Sequence, residues 1–374
     1  MNKKTVLFIG EGMLCSIEDG MAWHLDIPGK SLLQLLEKKF ELLKGGPDKW
    51  TLNSDELLYS GEVLSHKFLS ESTLGAIFYH KNQPEHNVLH LKQIYSFLSN
   101  NFPNVKLLNS PFESSLFRNK IKFSEHVSEL PNARSLLPEW RYFESEADLD
   151  HAIDTIGFPF LIKPDSLSGG KGIVKIEDKS SALKVLKNSK NGKYHKSNLD
   201  KLKVFAKNLI SPTSKLKPKN RPIKLIINDY IDTYHQEFDC YINANIYYWM
   251  GELHYADARV SHKGFNIHAG DSTNKELTAH QYSRIISEVF RLIERESKNV
   301  KEMINSLNQH SIRVDCLINL KEETLKVAEV ELKGGPGDSS RDIIVPSMND
   351  AGWGKYRIRE YLDGRDCRID HLFD

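Results

Sequence analysis

Ile312-Arg313-Val314-Asp315-Cys316-Leu317-Ile318 and Leu325-Lys326-Val327-Ala328-Glu329-Val330-Glu331 flank a polar break, Lys321-Glu322-Glu323. Both runs are rich in β-branched or aliphatic residues, the signature of two strands joined by a turn. Residues two apart on a strand share a face, so Arg313 projects with Asp315, and Glu329 with Glu331. Carboxylates inside apolar runs are expensive unless paired or ligating. An arginine and three oxygen donors on adjoining strands suit a hard divalent cation and polyphosphate. Gly334-Gly335-Pro336-Gly337 closes the segment.

A second cluster lies upstream. Gly157-Phe158-Pro159-Phe160-Leu161-Ile162-Lys163-Pro164 reads as a short apolar strand ending in a lysine. Ser168-Gly169-Gly170-Lys171-Gly172 comes next, then a second strand, Ile173-Val174-Lys175-Ile176. Glycines let backbone N–H groups converge on an anion, and the lysines add positive charge.

In this order, strand lysine, Gly-Gly-Lys-Gly loop and downstream acidic site, the residues resemble the ATP-grasp superfamily, over roughly residues 115–340. The resemblance implies an α/β (α+β) fold, the ATP-grasp fold preceded by a Rossmann-like α/β domain. It implies ATP and Mg²⁺ (or Mn²⁺) as cofactors. Lys163 would contact the α- and β-phosphates, Lys120 would be the further nucleotide lysine, and Ser168, Gly169, Gly170, Lys171 and Gly172 would close over the phosphates. Leu225-Ile226-Ile227-Asn228-Asp229-Tyr230-Ile231, followed by Glu237, resembles the adenine hinge. There Asn228, Asp229, Tyr230 and Ile231 would border adenine, and Glu237 would bind ribose. Arg313 would stabilise charge on the transferred phosphoryl group, with Asp315, Glu329 and Glu331 as metal ligands. Glu331 stands where the family usually has asparagine, and Lys333 partly offsets the added charge.

Between hinge and metal site, Asp257-Ala258-Arg259-Val260 and Lys263-Gly264-Phe265-Asn266-Ile267-His268-Ala269-Gly270 resemble the family segment bordering the γ-phosphate and acceptor. Arg259 is expected as a catalytic anion clamp, since guanidinium binds phosphate or carboxylate bidentately. Asn266 and His268 are further contacts on this reading. His254, His262 and His268 fit no common zinc spacing.

The remaining chain sets the frame. At 374 residues with a net charge of +1, it has room for two or three domains and shows no bias toward nucleic acid. Cys15, Cys240, Cys316 and Cys367 are widely spread, as expected of reduced thiols in a cytoplasmic protein. Lys3-Lys4 precedes an apolar run too short for a signal peptide, and no stretch is long enough to span a membrane. Residues 1–114 read as an α/β substrate-side domain, with strands at Thr5–Ile9, Leu74–Tyr79 and Val105–Leu108 and a helix at His86–Leu98. Gly10-Glu11-Gly12 lacks the third glycine of a dinucleotide fingerprint and reads as a strand-end turn. The small lobe is expected at 115–224 and the large lobe, with the metal site, at 225–374. Residues 179–224 hold thirteen lysines and one arginine against Asp200 alone, which reads as a solvated insertion. Ser339 to Asp342 and Trp353 to Arg357 border the acceptor pocket or cap the fold.

By resemblance, the expected reaction is ligation. ATP phosphorylates a small-molecule carboxylate, ADP leaves, and an amine attacks the acylphosphate. A phosphotransferase acting on a small anionic hydroxyl substrate is the alternative, and a catalytically silent nucleotide-binding module is a third. The resemblance leaves the oligomeric state open, a homodimer being common among similar enzymes.

Overall fold

The computed structural model describes residues 3–10, 37, 39–79, 85–117, 119–165, 172–191, 223–249, 252–261, 279–309, 311–332 and 355–359. Thr5–Gly10 (β1) is an uncharged run buried at every position, the pattern of a strand covered on both faces. It lies in a four-stranded sheet ordered β2-β1-β6-β7, with Glu41–Gly45 as β2, Thr73–Tyr79 as β6 and Lys106–Leu108 as β7. All three pairings are parallel. Parallel neighbours need a crossover, and Glu85–Asn101 (α2) supplies the one between β6 and β7. Val88, Leu91, Ile94 and Leu98 form its buried stripe, at the spacing of one helical face. At Gly10 a Cβ would stand 2.3 Å from the Tyr79 carbonyl oxygen, so the strand end admits glycine alone. Trp50–Asn53 (β3), Glu56–Tyr59 (β4) and Glu62–Val63 (β5) form a small antiparallel sheet that the sequence reading did not anticipate, and His66–Glu71 is α1.

Lys120–Ser128 (α3) leads to a second four-stranded sheet, ordered β10-β9-β11-β8 and antiparallel throughout. Its strands are Trp140–Phe143 (β8), Phe160–Pro164 (β9), Val174–Ile176 (β10) and Leu225–Asp229 (β11). Two helices cover one face, Glu146–Thr155 (α4) and Lys179–Lys190 (α5). Ser145 and Asp148 start α4 with a reciprocal capping box, which satisfies two N–H groups of the helix's first turn. Helix α5 corrects the sequence reading of 179–224. Its first twelve residues belong to the packed layer through Ala182 and Leu186, with lysines turned outward; 192–222 lie outside the described residues.

The third sheet has six strands. Cys240–Trp249 (β13), Glu252–Ser261 (β14), Ser311–Asn319 (β15), Thr324–Leu332 (β16) and Lys355–Arg359 (β17) run in the order β16-β15-β13-β14-β17, and Tyr234–His235 (β12) pairs with β13. Helix α6, Ala279–Ser306, packs Ile285, Val289, Leu292, Ile293, Val300, Met303 and Ile304 onto it. From the sheet, Ile242, Ala244, Ile246, Ile312, Val314, Cys316 and Ile318 meet them. Phe123, Val127, Leu136 and Leu137 enter the same core, so the segment starting at α3 packs with the large sheet. Each fully buried aliphatic side chain here contributes about 1.5–3 kcal/mol.

Strand β16 carries one irregularity. Asp315 pairs with Glu329, but Cys316 pairs with Val327, so Ala328 is an extra residue in the strand. Leu325, Val327, Val330 and Leu332 are all buried, and the bulge is what reconciles the odd spacing between 327 and 330 with one core-facing side. No helix among the described residues is long and apolar enough to cross a membrane.

Candidate active site

With the even-numbered β15 residues Ile312 to Ile318 in the core beneath α6, Arg313 and Asp315 occupy the opposite face. The ladder sets Arg313 across from Glu331 and Asp315 across from Glu329. The Arg313 guanidinium donates to both Asp315 oxygens, from Nε at 2.5 Å and from Nη2 at 2.6 Å. Nη2 also lies 3.1 Å from Glu331 Oε2. Lys120 Nζ is 3.5 Å from Glu329 Oε2. Burial raises the Glu329 pKa above the usual carboxylate range, Asp315 raises it further, and Lys120 opposes both.

Lys120 reaches this face because its helix is fastened to the end of β9. Its backbone N–H donates to the Asp165 carbonyl at 2.8 Å. Asn119, the helix N-cap, donates from Nδ2 to the Asp165 carboxylate at 3.1 Å and accepts from the Lys122 N–H. Lys163 is placed by strand alternation: Phe160 and Ile162 enter the core with α4 and α5, so Leu161 and Lys163 lie on the other face. There Lys163 is opposite Ile226, and Leu161 opposite Asn228. Burial and the nearby charge of Lys120 push the Lys163 pKa down to about 8, while Glu329 pulls it back up. Two lysines from the second sheet's side and four charged groups from the third thus share one electrostatic neighbourhood.

The hinge residues run on from β11. Asn228, next to last in that strand, is buried. The Asp229 N–H donates to the Glu139 carbonyl at 2.8 Å, and burial raises its carboxyl pKa. Lys175 Nζ sits 4.4 Å from the centre of the Tyr230 ring, and burial pushes the Tyr230 hydroxyl to about 12. Ile231 lies in the loop before β12. Glu237 lies in the single helical turn Gln236–Phe238 between β12 and β13. It pairs with Arg284 of α6, one of its contacts being Nη2 to Oε2 at 3.2 Å, beside a cavity of about 310 Å³ lined by His235, Phe238 and Arg291.

Gly172 adopts φ +75° at the entry to β10, a left-handed conformation that glycine takes without strain. Ser168, Gly169, Gly170 and Lys171 lie outside the described residues, as do Asn266, His268 and Lys333. The backbone of Arg259 runs in β14 opposite Asn243; its side chain lies outside the described part.

Three residues were missed from the sequence. Asn243 and Asn245 alternate with the core residues Ile242, Ala244 and Ile246, and Asn245 is opposite Asp315 in register. Asn245 is buried, and the Asn243 Oδ1 is buried with no hydrogen-bond partner among the described residues. Polar residues at every second position of the apolar run 242–246 were the available signal. Asp165, the bracket holding α3 to β9, carried none beyond following Pro164.

The donor chemistry fits a divalent cation. Asp315 and Glu329 are hard oxygen donors, and the Glu329 carboxyl is raised by burial beside a like charge, which a bound cation relieves. The side chains, however, are turned toward Arg313 and Lys120, and among the described residues no group of three His, Cys, Asp or Glu is arranged to hold a metal ion.

Residues 109–233 match the family model described as YheC/D like ATP-grasp. Among solved structures, the chain is similar to a RimK domain protein ATP-grasp from Sphaerobacter thermophilus, at 13% identity and TM-score 0.44, covering 87% of this chain and 90% of that one. It is similar to D-alanine–D-alanine ligase from Bacillus anthracis complexed with ATP, at 14% identity and TM-score 0.47, covering 89% and 87%. It is also similar to N5-carboxyaminoimidazole synthetase from Staphylococcus aureus complexed with ADP, at 12% identity and TM-score 0.45, covering 91% and 73%. No curated protein matches the chain.

Proposed function

Because residues 109–233 match a YheC/D-like ATP-grasp family model, we propose that the chain is an ATP-grasp protein and an ATP-dependent ligase joining a small-molecule carboxylate to an amine. The observation carrying this reading is the charged face of β15 and β16, where Arg313, Asp315, Glu329 and Glu331 meet Lys120 with Lys163 close by.

ATP lies between the second and third sheets on this reading, with adenine along Asn228 to Ile231. Lys120 and Lys163 neutralise the phosphates, and approach of those anions returns Lys163 toward its charged form. Asp315 and Glu329 hold Mg²⁺ (or Mn²⁺), with Glu331 as a further acidic donor; when bound, the ion supplies charge neutralisation at the phosphate oxygens. Arg313 then faces the transferred group, and Arg259 clamps the acceptor carboxylate. The carboxylate oxygen attacks the γ-phosphorus and ADP departs. The amine nitrogen attacks the acyl carbon, phosphate departs, and the amine proton passes to solvent. Catalysis rests on positioning and electrostatics, with no protein nucleophile. Ser168 to Gly172 close over the acylphosphate and limit its loss to water.

The test is ADP and phosphate release from MgATP across pooled acids and amines, with Lys163→Ala and Glu329→Gln as blanks. Release of both products only with an acid–amine pair, lost in both variants, is the expected result. ADP without phosphate favours the phosphotransferase, and the absence of any nucleotide binding overturns the reading.

A further inference from the structure

Each carboxylate of the proposed metal set already has a cationic partner, two of them sharing one arginine. Arg313 spans Asp315 and Glu331, bonding both oxygens of the first and reaching the second at 3.1 Å. Lys120 holds Glu329 at 3.5 Å. Both cations are anchored independently of any ligand, Arg313 by its place in β15 opposite Glu331 and Lys120 by the tie between its helix and Asp165. Three acidic groups share one partly buried face, and the two cations offset their mutual repulsion. A divalent ion arriving alone must displace the guanidinium from Asp315. An ion arriving with polyphosphate meets a different balance, because the phosphates accept the displaced guanidinium and ammonium.

Resting on the ligase reading, we infer that Arg313 and Lys120 are internal counter-ions that exchange between carboxylates and phosphates, so that divalent cation and nucleotide enter this site only together. Glu331 gives the Arg313 guanidinium a second acceptor on β16.

The experiment titrates Mn²⁺ into the full chain and reads free Mn²⁺ by electron paramagnetic resonance, with and without a non-hydrolysable ATP analogue. Wild type is expected to bind Mn²⁺ alone at least tenfold more weakly than with the analogue. Arg313→Gln is expected to bind Mn²⁺ alone at least tenfold more tightly than wild type, and Arg313→Lys to restore the weak binding. Thermal unfolding of each variant certifies its fold, and Lys120→Gln provides a second variant that opens the Glu329 side. Wild type binding Mn²⁺ alone as tightly as Arg313→Gln overturns the exchange while leaving the ligase reading standing. Failure to bind the analogue, in the presence or absence of Mn²⁺, overturns the ligase reading and the joint entry that rests on it.

Discussion

Two faces of the third sheet carry nearly the same inventory of charged residues in opposite settings. Around α6, Arg291 pairs with Glu288 at 2.9 Å and with Glu323 at 2.8 Å, and Arg295 reaches Glu323 at 3.6 Å. Across the sheet, Arg313 pairs with Asp315 and Glu331. The Arg291 side chain is 51% exposed and the Arg313 side chain 13%. Exposed pairs in water contribute about 0–1 kcal/mol and weaken with salt. Partly buried pairs lose hydration that their attraction only partly restores. Charge clustered where it is expensive therefore marks function, and charge clustered where it is cheap marks solubility.

The comparison breaks first at turnover. Arg313→Ala is expected to lower kcat by about 10²- to 10³-fold, the scale of removing one preorganised charge-stabilising donor. Arg291→Ala should leave kcat unchanged; an equal loss in steady-state assays of both variants removes the distinction.

Nucleotide binding comes next, and its pH dependence has a definite sign. Lys163 has its pKa lowered from 10.5 to about 8, so the folded protein sheds this proton first and stability rises as pH climbs between those values. Over the same climb Lys163 loses the charge that meets phosphate. Affinity for ATP, followed by calorimetry, is expected to fall as pH rises through about 8 in wild type and to stay flat in Lys163→Arg.

A smaller effect sharpens the contrast in stability. Glu329 has its pKa raised above 4.5 by burial and Asp315. Its stabilising contribution is present below 4.5 and is lost as pH rises through the folded value. Glu329→Gln is therefore expected to melt a few degrees above wild type at neutral pH while losing turnover, the gap closing in acid. A lower melting temperature at neutral pH in scanning calorimetry contradicts this. The smallest effect belongs to the outer face, where Arg291→Ala should move the urea unfolding midpoint least of these variants, and molar salt should abolish the difference.

Much of the fold was legible because apolar period and turn chemistry agree. The strands of 311–332 announce themselves by alternation, and β1, β6 and β9 by short apolar runs bounded by turn residues. The sheet of β3 to β5 was missed because its strands are two to four residues long and alternate too briefly to stand out. Helix α5 was missed because its four apolar residues are matched by four lysines, and the basic run continues beyond it. At the site, residue types and shared faces were readable, since a strand's period of two needs no partner. Pairing was not readable. That Arg313 turns to Asp315 and Glu331, and Glu237 to Arg284, depends on register and on helix placement, which come from distant segments. The Asn243 and Asn245 alternation was present in the letters, but the core on one side of β13 is what gives it meaning.

Ala328 has a consequence for the chain's tolerance of change in length. Being supernumerary in the ladder, it is the residue of β16 that can be lost with every neighbouring pairing kept: Val327 stays opposite Cys316, Glu329 opposite Asp315 and Val330 opposite Val314. Such a deletion would straighten the strand and relax its twist while leaving each carboxylate on its own side. Removing Val330 instead would bring Glu331 next to Glu329 and turn it toward α6. Among descendants of this chain, position 328 is therefore where a gap could open without cost to the site's chemistry, and the two residues on either side of Val330 are where it could not.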